Sequence, residues 1–168
     1  MTREERFNTL THAVPLLLLL SVSWWLIWRA YEHGWQLTFG VSVFTVGMLF
    51  MYTSSCLYHL WRPGIRKARL RMMDHIGIYV MIACSYTPIY MVMVAGGNAA
   101  IGWTFFGIIW AIAALGILYK VFLWRRYPKW SLTVYLLMGW SVLPVIYEVW
   151  KEIPLAPMLF ILGEGICY

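Results

Sequence analysis

Ser55 and His59 stand four residues apart in SSCLYHLW, residues 54–61, at the end of a long apolar run. On a helix this i, i+4 spacing points both side chains to one face. Ionisable groups inside an apolar span are costly and by default mark function. Asp74 lies fifteen residues after His59, beyond the basic stretch RPGIRKARLRMMDH. A short connection makes the two flanking helices antiparallel neighbours, which places Asp74, at the expected start of the third helix, at the depth of His59. A hydroxyl, an imidazole and a carboxylate converging from two helices suit zinc ligation or the support of zinc ligands. Each also has a structural reading. Asp74 at a helix N-terminus is favoured by the macrodipole. His59 suits an interfacial hydrogen bond to a carbonyl, and Ser55 can bond back to its own helix. A zinc set takes three or four protein ligands, so this one needs a contribution from elsewhere.

The other polar residues in apolar surroundings have milder readings. His12, in NTLTHA, and His75, about 100° round the helix from Asp74, are expected to hydrogen-bond near the headgroups rather than hold metal. Glu148, Glu152 and Glu164 fall towards the opposite membrane face and should not join the His59–Asp74 group. The hydroxyls of SYTP, residues 85–88, are expected to stabilise the backbone freed by Pro88. Cys56, Cys84 and Cys167 are odd in number, lie in apolar segments and form no Cys-x2-Cys pair, so they read as buried small side chains.

The elements that position these residues follow from composition. The 168 residues are 62% hydrophobic and 12% charged, against roughly 45–50% and 25% in soluble domains. So small a soluble fold could not hide that much apolar surface, which implies an all-α, polytopic transmembrane helix bundle. A net charge of +6 does not imply nucleic acid as a partner, because the charges cluster in short loops between apolar runs and no nucleic-acid motif is present. The partners implied are membrane lipids.

Helices of about 20 apolar residues cross a bilayer. The apolar runs are Ala13–Tyr31, Leu37–Leu60, Ile76–Val94, Ile101–Phe122 and Leu132–Trp150, forming one transmembrane domain over residues 1–168. A sixth run, residues 158–168, is too short to span, so the chain looks cut short inside it. The tail and the loops after the second and fourth runs hold 11 of the 13 lysines and arginines. These regions fall on one side, which places the N-terminus in the cytoplasm. The first run lacks a small-residue cleavage site and reads as a retained span. Trp28, Trp35, Trp61, Trp103, Trp124, Trp130 and Trp150 sit near run ends as interfacial anchors do, and Pro15, Pro88 and Pro144 should bend their helices.

EERFNTLTHA, SSCLYHL, MDHIGIYVMIACSYTP, LLMGWSVLPVIYEVW and ILGEGICY together resemble the haemolysin III group of bacterial membrane proteins. That group belongs to the progestin and adiponectin receptor superfamily and is distantly similar to alkaline ceramidases. The resemblance covers almost the whole chain. It implies a seven-helix fold with a cytoplasmic N-terminus in the bacterial cytoplasmic membrane. It also implies zinc near the cytoplasmic face, with Ser55, His59 and Asp74 as metal ligands and Asp74 and Ser55 in catalytic positions. The superfamily's His-x3-His pair from a seventh helix has no match in this chain.

Three functions are expected to compete. The first is zinc-dependent hydrolysis of a lipid amide, which rests on Ser55, His59 and Asp74 and on the likeness to ceramidases. The second is a non-enzymatic receptor-like sensor or membrane-homeostasis protein. The third and weakest is cytolytic or pore-forming activity, since no amphipathic segment of the kind that inserts from solution is evident.

Overall fold

The computed structural model describes residues 2–123 and 130–152, together with Gly163. The sixth apolar run, Cys167, Glu164 and residues 124–129 lie outside the described residues. The described chain is all-α. Its helices are α1 (Arg3–Tyr31), α2 (Trp35–Leu60), α3 (Ile65–Ala95), α4 (Ala99–Phe122), α5 (Trp130–Gly139) and α6 (Ile146–Glu152), with a 3-10 turn at Leu143–Val145. Five helical stretches are long and apolar enough to cross a membrane, the fifth running from Ser131 to Glu152 through that turn.

Local sequence explains the boundaries. Thr2 caps α1 by accepting a hydrogen bond from the Glu5 amide at 3.2 Å, and Glu4 and Glu5 in the first turn complement the helix dipole. At 29 residues α1 is about 43 Å long, more than the ~30 Å hydrocarbon core requires. The connections at Glu32–Gly34, Trp61–Gly64 and Gly96–Asn98 are short, so α1 to α4 run antiparallel to their neighbours in turn. Gly34 (φ 107°) and Gly97 (φ 98°) take the left-handed backbone that these tight returns need.

α3 is the axis of the bundle and packs against α2, α4, α5 and α6. Tyr79, Ala83, Tyr90, Met91 and Met93 on it are fully buried. By contrast α1 turns Leu10, Val14, Leu17 and Leu18 outward, as a helix facing lipid does. Close approach is achieved through small residues, the usual device where lipid offers no hydrophobic drive to associate. A Cβ added at Gly40 would fall 2.7 Å from the Pro88 Cα, one at Gly47 would fall 2.5 Å from the Cys84 side chain, and one at Gly116 would meet the Tyr79 ring.

Two features differ from the sequence expectation. α3 starts at Ile65 rather than near Ile76, so the basic stretch is mostly helix and Asp74 sits more than two turns inside it. Asp74 is therefore not a helix N-terminal residue. The Thr87 and Ser85 hydroxyls donate to the Ala83 and Ile82 carbonyls at 2.8 and 2.9 Å, not to the Cys84 carbonyl that Pro88 leaves free. Pro144 does interrupt its helix, within the 3-10 turn.

Candidate polar site at the basic end of the bundle

Ser55 and His59 lie on the last turns of α2, where Ser55 is buried and the His59 side chain is 16% exposed. The structure adds a partner from α1. The Glu5 carboxylate meets His59 Nδ1 through Oε2 at 2.9 Å and Lys67 Nζ through Oε1 at 2.6 Å. One carboxylate thus ties α1, α2 and α3 together at the end that carries most of the basic residues. Glu5 precedes the apolar stretch of α1. Lys67 first, and His59 second, hold its carboxyl below the ordinary carboxylate range.

The contact also fixes the imidazole. An ionised carboxylate only accepts hydrogen bonds, so His59 donates from Nδ1, and in the neutral ring this leaves the lone pair on Nε2. A histidine held by a carboxylate through one nitrogen, with the other free, is the arrangement seen where histidines ligate metals.

His12 joins this group from α1. Its ring stacks on His59, with centroids 6.0 Å apart and planes 5° from parallel. His12 Nδ1 is buried without a hydrogen-bond partner among the described residues, an arrangement that usually costs about 1–3 kcal/mol. The charges of both Asp74 and His59 reach His12. Asp74 is half-buried on α3, and no hydrogen bond joins it to Ser55 or His59 among the described residues. The backbone carbonyl of His75 accepts the Tyr135 hydroxyl at 3.2 Å. Glu148 pairs with Lys151 at 3.0 Å near the other end of the bundle.

Sequence reasoning missed Glu5 and the stacking of His12 on His59. Glu5 was hidden in a tail of balanced charge, and its partners lie 54 and 62 positions away. A signal for His12 was available: it stands at the same membrane depth as His59, at the basic end of a neighbouring helix.

Among the described residues no three His, Cys, Asp or Glu side chains form a group spaced to hold a metal ion. The donors present fit zinc in chemistry and in the orphaned His12 nitrogen, and fall short of a closed ligand set.

"Hemolysin-3" of Bacillus cereus is 32% identical over 168 residues, covering 99% of this chain and 75% of that protein. "Hemolysin-3 homolog" of Bacillus subtilis (strain 168) is 33% identical over 168 residues, covering 99% of this chain and 77% of that protein. No solved structure gives a significant match. The "Haemolysin-III related" family model matches residues 1–168, and with it the chain is a multi-pass membrane protein that belongs to the haemolysin-III related family.

Proposed function

We propose that Ser55, His59 and Asp74 are part of a zinc centre at the cytoplasmic face of the bacterial cytoplasmic membrane, and that the protein hydrolyses a lipid amide there. The observation that carries this reading is the Glu5–His59 bond, which in the neutral ring leaves the Nε2 lone pair of an imidazole stacked on the His12 ring. The orientation rests on the sequence, whose tail and loops after the second and fourth apolar runs hold 11 of the 13 lysines and arginines, which positive-inside topology assigns to the cytoplasm, N-terminus included.

His59, Asp74 and Ser55 would hold the metal, and further ligands complete a set of three or four. Bound zinc supplies a water of lowered pKa and polarises a carbonyl. The chain's own contribution is positional. Glu5 holds the His59 ring and its tautomer, and Lys67 holds Glu5. Ser55, one turn before His59 and buried, offers a hydroxyl on the same helix face. Asp74 would help to orient that water, and its negative charge is felt at His12.

The test is an assay of the purified protein in detergent with a long-chain N-acyl sphingoid base. Release of free fatty acid that stops with a zinc chelator and in His59→Ala supports the reading. Zinc binding without any release overturns the hydrolase and leaves the metal centre to a sensor or membrane-homeostasis protein. The relatives' printed name points to lysis. The outward apolar faces of α1, suited to residence in lipid, favour that reading least.

A further inference from the structure

A second feature lies beside the polar site, on the other side of Tyr58 and Lys67. A cavity of about 500 Å³ opens between the α2–α3 turn and the last turn of α4. Its lining divides by chemistry. Lys67, Arg71 and the Tyr58 ring supply charge and polarity, while Pro63, Val121 and Phe122 are apolar. Phe122 is largely exposed, and α4 ends there, at the basic end of the bundle.

We propose that this cavity binds the phosphate-bearing headgroup of an anionic lipid, with the acyl chains leaving along Val121 and Phe122. This inference does not rest on the zinc reading. The charge balance at the cavity favours an anion. Lys67 gives one contact to Glu5 at 2.6 Å and lies 5.1 Å from the centre of the Tyr58 ring. An ammonium has three donors, so Lys67 keeps others for phosphate oxygens. Arg71 has no carboxylate partner among the described residues and offers a planar fork that matches phosphate. Glu5 opposes the anion, but its charge is shared between Lys67 and His59.

Lipid is favoured over free phosphate by position and by the walls. The apolar half of the cavity would be wasted on an inorganic ion. The cytoplasmic leaflet carries anionic lipids at the depth where such basic groups sit. The volume exceeds a bare phosphate and suits a glycerophosphate headgroup.

The test is native mass spectrometry of the detergent-purified chain titrated with phosphatidylglycerol, phosphatidylcholine and inorganic phosphate. The first phosphatidylglycerol adduct should form well ahead of phosphatidylcholine and survive millimolar phosphate. Arg71→Gln should weaken that adduct by about fivefold, the effect of one basic residue at an anionic lipid surface. Arg66→Gln, exposed at the same end and outside the cavity, should leave it unchanged. Ala68→Trp, which fills the cavity from its wall and keeps every charge, should abolish it at an unchanged unfolding midpoint. Equal losses in Arg66→Gln and Arg71→Gln would mean diffuse surface charge and overturn the proposal. So would equal binding of the two lipids, displacement by inorganic phosphate, or full binding by Ala68→Trp.

Discussion

His12 and His59 lie face to face, ring centroids 6.0 Å apart, and only one of them is tethered. His59 is held by Glu5, whereas His12 Nδ1 is buried with no hydrogen-bond partner among the described residues. Two imidazoles so placed, with the Asp74 charge nearby, are expensive to keep in a membrane protein unless a ligand engages them. Replacing His12 by Phe removes the orphaned nitrogen and keeps an aromatic ring against His59. The expected outcome is a more stable apoprotein, by about 1 kcal/mol on the scale of an unmade buried hydrogen bond, with weaker metal binding. A thermal melt in detergent with and without zinc checks both parts. A less stable apoprotein would contradict the assignment of His12 as unsatisfied.

Glu5→Gln keeps the shape and removes the charge that joins α1, α2 and α3. The unfolding midpoint should fall, and it should fall further than in Glu4→Gln, whose side chain is exposed. Equal effects would mean that the three-helix contact contributes nothing to stability.

Small residues set the helix spacing, so their cost should be site-specific. Gly40→Ala places a Cβ 2.7 Å from the Pro88 Cα, where backbone must yield. A loss of about 1–3 kcal/mol is expected from such overpacking. Gly107→Ala meets nothing within 4 Å and should be neutral or slightly stabilising. Unfolding midpoints of the pair decide whether the α2–α3 approach is as close as described.

The buried Thr87 hydroxyl donates to Ala83 and accepts from Trp110 Nε1 at 3.2 Å, linking α3 to α4 beside Pro88. Thr87→Val strips the acceptor and should cost about 1–3 kcal/mol. Trp110→Phe removes the donor instead. A double-mutant cycle should show the two losses to be less than additive; simple additivity would mean that the bond contributes nothing.

The orientation is tested by labelling. A cysteine at Arg66, on the first turn of α3, should react with a membrane-impermeant thiol reagent only after the cell is opened. Native Cys56 and Cys84 are buried and should stay silent. Labelling from outside an intact cell would invert the bundle.

The all-α, membrane-spanning architecture was legible because apolar runs of spanning length leave no other way to satisfy the backbone in lipid. The shared face of Ser55 and His59 followed from helical period alone. The start of α3 was not legible. Arg66–Arg71 are charged and looked like loop, yet arginine, lysine, alanine and leucine are good helix formers, and a helix is free to project past the hydrocarbon. That shift moved Asp74 from a helix end to a helix interior. Glu5 was not legible because only three-dimensional packing brings a tail residue to His59.

The central claim is that His59 and Asp74 are metal ligands, and a zinc titration followed by thermal unfolding tests it most directly. Metal that binds only the folded state stabilises it by about 2.7 kcal/mol at a hundredfold excess over its dissociation constant. The wild-type chain should show a saturable rise in midpoint, whatever its absolute affinity. His59→Ala and Asp74→Asn should each abolish the rise, while Glu148→Gln, near the other end of the bundle, should keep it. A rise of the same size in His59→Ala, or none in the wild type at millimolar zinc, would contradict the account.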